Sequence, residues 1–415
     1  MKSLSIPPAL RHRRFTLLWL GLMVSVAGSQ MQLWSLFWHL RTLSSEPIAV
    51  SGIGVARFLP ILVFSLIGGL VADLYNRRRI LFLTQSMQAL VAFALWGLTF
   101  YGHIQIWQIY VLTSIQAMAV SFDLPARQSL VPNLVAKEDL PSAFSMMSIA
   151  FDIGSIIGPG MSGMVIAYLG QHSTYLINGI SFAAVIFALI LMGPVPQIIS
   201  QEARERGINL AAIKEGIHFI RKQPIILSSM ILDFFAAFFS SANTLLPFVA
   251  RDILHVGAVA YGWLSAAQSI GAVTAALIIS QREKIHRQGA MLVGAVVVFG
   301  LATLLFGIST IFTVTIFALI IMGAADSVST ILRNTIRQLQ TPDFIRGRMV
   351  SINQIFFMGG PQLGEIEAGL FAQIFGTPFA IISGGVGCIL AVLWVSKRWP
   401  QLRRYNGDEA VLAGG

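Results

Sequence analysis

The stretch GGLVADLYNRRRILF, residues 68–82, puts Asp73 at the end of one apolar run and Arg77, Arg78 and Arg79 at the start of the next. Charge confined to so short a turn is the pattern of a chain that leaves a membrane and at once re-enters it. Working outward, the same alternation of long apolar segments and short basic turns recurs along almost the whole length. Of the 415 residues 55% are hydrophobic and 11% charged, whereas a soluble domain carries about 25% charged residues. The mean hydropathy is +0.75. These values describe a polytopic membrane protein rather than a soluble domain with an anchor.

The net charge of +10 would suit a nucleic-acid partner. That reading fails if the positive charge sits in short loops on one side of a membrane. A single cysteine, Cys388, excludes an internal disulfide framework and a Cys-based zinc cluster. No metal or cofactor is expected. GIGVAR at 52–57 lacks the third glycine of a nucleotide loop and lies within a span, and no Walker sequence appears, so ATP is not the expected energy source. The N-terminus has the basic, apolar and small-residue order of a signal peptide. Its apolar run continues through residues 31–40, too far for one, so it reads as a first span with a basic flank.

A hydrocarbon core needs about 20 apolar residues per helix. Spans are expected at 15–40, 47–74, 80–101, 104–124, 141–168, 173–195, 224–250, 257–281, 289–309, 311–332, 346–373 and 377–396. The expected fold is therefore all-α, with twelve transmembrane helices in two six-helix bundles. The bundles take residues 1–196 and 224–397, joined by a linker at 197–223 and followed by a tail at 398–415. With the N-terminus inside, the inner segments hold 25 of the 28 Lys and Arg residues, which predicts that both termini are cytoplasmic. In the linker, Leu210, Ile213, Ile217 and Ile220 share one helical face, opposite Lys214, Glu215, His218, Arg221 and Lys222. This predicts a helix lying at the inner membrane surface, or a solvated one with the same connectivity.

An internal repeat joins the halves. At an offset of 206, Arg127, Ser145, Ile149, Phe151, Gly154, Gly158 and Gly163 match Arg333, Ser351, Ile355, Phe357, Gly360, Gly364 and Gly369. Both copies begin at the same membrane face, so the halves are parallel duplicates, an organisation used by transporters with the substrate site between them.

Twelve spans in two parallel halves, with GxxxD and a basic cluster between spans two and three, resemble the major facilitator superfamily over essentially the whole chain. Its loop signature is met here by Gly69, Asp73, Arg77 and Arg78. It departs at Leu74, where a base is usual, and at Asn76, where glycine is; Asn tolerates the left-handed backbone such a turn needs. PARQSLVPNLV and IGPGMSG further resemble the bacterial branch called transmembrane secretion effectors, which includes the enterobactin exporter. Gly154, Gly158, Pro159 and Gly163 follow the span-five pattern associated with antiporters, with Ser162 replacing one glycine. The resemblance implies that Asp73 latches the halves together by meeting the N-terminus of span eleven, near residues 346–348. Arg77 and Arg78 are its local alternative partners, since a carboxylate at a helix C-terminus needs compensation.

Ionisable groups within spans are costly and mark function. A carboxylate that alternates between an apolar setting and the neighbourhood of a cation can load and release a proton. The candidates are Asp152, Glu365, Asp233 and Arg57. Asp152 lies about 200° around the helix from Gly154, and Glu365 a similar angle from Glu367. If the glycines form helix seams, Asp152 and Glu365 face a cavity. Arg57 is expected to pair with Glu365, with Glu367 as the competing partner. Asp233 shares a face with Ser229, Ser240 and Thr244. Asp123 and Asp326 read as pairing residues nearer the inner ends, and His39 as the best placed histidine. Gln30, Trp34, Gln116, Phe238, Gln268 and Gln354 are candidate cavity contacts.

The function expected is proton-driven export of an amphiphilic small molecule, of drug or siderophore type, by alternating access. The setting is a bacterial inner membrane, and one chain supplies a complete pathway. The alternatives are uptake or lipid flipping on the same fold, and a membrane sensor without flux. No nucleophile–base constellation supports an enzyme.

Overall fold

In a computed structural model, the protein is described over residues 7–197, 217–239, 242–281, 285–341 and 343–407; within its helices the side chains of 66, 73, 343–348, 350–352 and 354–358 lie outside the description. The long helices are α1 Arg13–Leu43, α2 Pro47–Leu74, α3 Arg77–Phe100, α4 Ile106–Leu130, α5 Leu140–Leu169 and α6 Gln171–Met192. They continue as α7 Pro224–Phe239, α8 Ala258–Ser280, α9 Gln288–Ile308, α10 Phe312–Gln340, α11 Asp343–Phe375 and α12 Thr377–Arg398. No strand occurs among the described residues. Eleven described segments are long and apolar enough to cross a membrane by length and composition. The remaining helix, α11, has 33 residues and carries Glu365 and Glu367. The fold is an all-α polytopic membrane fold.

Three helices differ from the expected spans. α4 runs through Pro125 to Leu130 and α10 runs to Gln340, past the limits of 124 and 332 read from hydropathy. Proline and charge end a hydropathy window, but a helix continues where neighbours satisfy its freed groups. In α10 those charges are Arg333 and Arg337, 3% and 2% exposed. Reading them as basic loop residues is corrected by the structure: they lie inside the protein. Span seven is broken. After α7 come a 3-10 turn at Ala242–Leu245, a short helical piece at Leu246–Phe248 and a π-turn at Val249–Ile253. Pro247 lacks the N–H that a continuous helix requires. The expected stripe of Ser229, Asp233, Ser240 and Thr244 is therefore not one helical face. Ser240 lies outside the described residues, and Thr244 Oγ1 accepts from Ser51 Oγ at 3.1 Å. Most of the expected linker, 198–216, also lies outside them; residues 217–222 are helical.

The chain forms two compact units. The first comprises Met1–Leu43, Ala56–Ile208 and Gly257–Gly262; the second comprises Ser44–Val55, Asn209–Val256 and Trp263–Gly415.

In the first unit α1 lies between α5 and α6. Gly28 of α1 leaves room for Asn178 and Ser181 of α6, and Gly154 and Gly158 of α5 meet the backbone of Ala27 and Met31 in α1. Such small-residue seams are how helices pack where lipid removes the usual apolar driving force. One end of the unit is an apolar core of Phe15, Leu18, Leu22, Leu81, Leu130 and Leu189. Asn76 caps α3 by accepting from the Arg79 N–H at 3.1 Å.

In the second unit Gly323 of α10 meets the Gln268 carbonyl of α8, and Gly300 of α9 meets Gly385 of α12. The 206-residue repeat extends beyond the matches visible in the span-five region. Gly170 joins α5 to α6 with φ +79°, and Gly376 joins α11 to α12 with φ +90°. A single-residue link between helices needs this backbone region, which glycine enters without a Cβ penalty. The repeat mates Gly163 and Gly369 also have corresponding roles. Gly163 packs on Ala258 and Gly262 at the start of α8 within the first unit, and Gly369 on Ser51 at the start of α2 within the second.

Candidate functional site

The chain places its polar side chains as two buried groups, one in each unit. In the first, Gln32 of α1 donates to Gln116 Oε1 of α4 at 2.7 Å and accepts from Asn178 Nδ2 of α6 at 2.7 Å. His39 Nδ1 meets Tyr175 Oη at 2.8 Å, and Thr174 donates to Ser35 at 2.7 Å. Each of these side chains finds a partner on a neighbouring helix, as polar groups away from water usually do. Of the expected cavity contacts, Gln116 joins this chain, and Gln30 Nε2 donates to Ser155 Oγ of α5 at 3.1 Å. Trp34 is 8% exposed; its carbonyl accepts from Tyr261 Oη at 2.8 Å and its ring lies 6.3 Å from that of Tyr261. Gln32 and Asn178 are not among the expected contacts, because which amides of apolar spans meet depends on how the neighbouring helices are rotated.

Asp123 of α4 is 1% exposed. It accepts from Thr84 Oγ1 at 2.9 Å and Gln85 Nε2 at 2.7 Å, and pairs with Arg127 one turn on. This fully satisfied carboxylate fixes α3 against α4.

The arginines that follow the turn between α2 and α3 tie it to α4 and α6. Arg77 donates to the Ser129 carbonyl at 2.8 Å, to Asn133 Oδ1 at 2.9 Å and to the Ala72 carbonyl at 3.3 Å. Arg78 Nε donates to the Leu189 carbonyl at 2.7 Å. Both cap the carbonyl ends of helices, where a cation is favoured. The side chain of Asp73 lies outside the described residues. The Gly69 Cβ position is open, whereas Gly68 beside it packs against the Ser121 carbonyl of α4.

On α5, Gly154, Gly158 and Pro159 are buried while Asp152 is exposed. The Gly158 Cβ position lies 2.6 Å from the Ala27 carbonyl oxygen and 2.8 Å from the Met31 nitrogen, so any larger residue must move backbone. Arg57 is half-buried in α2 within the first unit.

The second unit holds a buried charge cluster. Asp233 of α7 pairs with Arg333 at 3.1 Å and with Arg337 at 2.9 Å, both from α10. Arg337 also donates to Ser229 Oγ at 3.2 Å, to the Ser229 carbonyl at 3.0 Å and to Asn353 Oδ1 of α11 at 2.6 Å. Arg333 Nη2 donates to Thr330 Oγ1 at 2.7 Å, with Asp326 Oδ1 at 3.7 Å. The expected face of Asp233 with Ser229, Ser240 and Thr244 includes neither arginine as its partner. Their signal was present: Asp326, Thr330, Arg333 and Arg337 recur at i, i+4, i+7 and i+11, one face of a helix.

Glu365 of α11 is 5% exposed. Its Cβ and Oε2 lie 3.2 and 3.3 Å from the Cβ position of Gly54, in the seam between α11 and the start of α2. Residue 365 thus faces a helix seam rather than the open cavity expected of it; a glycine on the partner helix made the room. Glu367 and Gln268 are half-buried, and the side chain of Gln354 lies outside the described residues. Phe238 is half-buried in α7 and stacks on Phe234 at 5.9 Å. Among the described residues no group of three or more His, Cys, Asp or Glu side chains could hold a metal ion.

The chain is 25% identical to the multidrug efflux pump Tap of Mycolicibacterium fortuitum, covering 92% of this chain and 94% of that protein. It is 26% identical to the enterobactin exporter EntS of Salmonella choleraesuis, covering 89% and 87%. A bacterial homologue of the human lysosomal transporter Spinster, solved in an inward-facing and unoccupied conformation, superposes with a TM-score of 0.73 at 11% identity over 94% of this chain and 98% of the other. That likeness shows the fold alone. The family model described as transmembrane secretion effector matches residues 5–409. The chain therefore belongs to the transmembrane secretion effectors, a family of major facilitator transporters and not of enzymes.

Proposed function

We propose that the protein exports an amphiphilic small molecule across a bacterial inner membrane in exchange for protons, acting as a monomer with both termini cytoplasmic. The bundles, proposed at 1–196 and 224–397, work by alternating access. The observation that carries this reading is Asp152: an exposed carboxylate within a membrane span, on the face of α5 away from the Gly154 and Gly158 seam. A charge there is costly in hydrocarbon and serves a purpose where it meets water and protons. Export is supported by the relatives, one a multidrug efflux pump and one an enterobactin exporter.

Asp152 is the first candidate for proton loading. Glu365 is the second, in a seam that motion would open, with Arg57 as its proposed partner. Asp233 is third, because its charge is already taken up by two arginines. Asp73 is the proposed latch.

The test is proton movement into proteoliposomes carrying a pH-sensitive dye, with a catecholate siderophore, a hydroxycarboxylate siderophore and a tetracycline offered in turn. Substrate-dependent proton flux is expected in wild type and is lost in Asp152→Asn and Glu365→Gln. Asp73→Asn slows it without reducing the protein inserted. Substrate transport indifferent to the proton gradient refutes the coupling.

A further inference from the structure

The two buried arginines of the second unit differ in one respect. In Arg337 every nitrogen is engaged: Nε, Nη1 and Nη2 all donate, to Ser229, Asn353 and Asp233. Arg333 is not. Its side chain is 3% exposed, yet only Nη2 is engaged, and Nε and Nη1 have no hydrogen-bond partner among the described residues. An arginine cannot relieve this by losing its proton, and buried donors without acceptors are rare because they are costly.

The charge balance points the same way. Two guanidinium groups share one buried carboxylate, Asp233. The second carboxylate, Asp326, has a side chain 60% exposed and stands 3.7 Å from Arg333, beyond hydrogen-bond range. Among the described residues the buried part of the cluster therefore lacks one negative charge. Because α10 is a membrane span, the exposed Asp326 identifies the face of the cluster that opens to water rather than to hydrocarbon.

We infer that Arg333 is an anion-binding subsite that receives the acidic group of the transported molecule on one of its open donors, Nε or Nη1, so that the substrate is an amphiphilic anion such as a carboxylate. A guanidinium is suited to this, since its charge is permanent and a single open N–H makes a charge-assisted bond to an acid oxygen. Asp326, beside the same guanidinium, competes with the incoming anion. The inference rests on the exporter reading for there being a transported substrate, but not on proton coupling.

The experiment uses the full chain in nanodiscs of zwitterionic lipid, with pyrenebutyrate and its neutral counterpart pyrenebutanol as probes and energy transfer from tryptophan as the readout. Wild type is expected to bind the carboxylate about tenfold more tightly than the alcohol, the effect of one charge-assisted contact. Arg333→Gln abolishes that preference while leaving alcohol affinity unchanged, which also reports that the variant is folded. Asp326→Asn enlarges the preference by removing the competitor. Equal affinities in wild type, or a preference that survives Arg333→Gln, overturn the inference. Should Arg333→Gln fail to fold, Asp326→Asn decides it, and an unchanged or smaller preference there overturns it. Binding is read at equilibrium without a gradient, so a failure of proton coupling leaves this result unmoved.

Discussion

Replacing Asp233 by asparagine removes the only carboxylate among the described residues within 3.5 Å of two arginines that are 3% and 2% exposed. Breaking a buried pair by deleting one partner costs about 3–5 kcal/mol, because the surviving charge keeps its desolvation penalty. That is a large share of a total stability of about 5–15 kcal/mol. Arg337→Gln leaves Asp233 paired with Arg333, so its cost is smaller, about 2–3 kcal/mol for the lost charge-assisted bonds. In the double variant no Asp233–Arg337 pair remains to be broken. Its cost is therefore expected to fall about 2 kcal/mol short of the sum of the singles. Equilibrium unfolding in mixed micelles, titrated with SDS and followed by tryptophan fluorescence, measures all three. Costs that add to within about 0.5 kcal/mol, or an Asp233→Asn variant as stable as wild type, refute the assignment of a coupled buried cluster.

Two further outcomes follow from the first unit. Gly158→Leu drives a side chain into the α1 backbone at Ala27 and Met31, so it is expected to cost several kcal/mol and to lower the yield of folded protein, whereas Gly69→Leu, facing open space, leaves unfolding in the same assay near wild type. Arg77→Gln frees the Ser129 carbonyl and Asn133 side chain and is expected to cost about 1–3 kcal/mol, read as a lower unfolding midpoint with the protein still inserted.

What the sequence determined by itself is the membrane architecture. Apolar runs of span length, separated by short turns such as 75–76, leave the chain few alternatives, because each backbone group must be satisfied within its own helix. The offset of 206 between Gly154 and Gly360 disclosed the duplication, and Gly170 and Gly376 carry it through to the inter-helix links. Packing glycines were legible as well: Gly154 and Gly158 stand at the helical spacing of a seam, and α1 fills that seam.

Which charges meet was decided only by tertiary structure. Arg333 and Arg337 read as loop residues because hydropathy averages a window and cannot register a counter-ion on another helix. Their partner, Asp233, lies about a hundred residues away in the chain and is brought to them by the packing of α7 against α10. The side chain at 365 shows the same limit from the other direction. Its helical angle was calculable from the sequence, but the glycine at 54 that made a seam of that face belongs to another helix. A helix fixes the direction of each side chain relative to its own axis. What stands in that direction depends on the rotation and spacing of neighbouring helices, which local sequence does not encode.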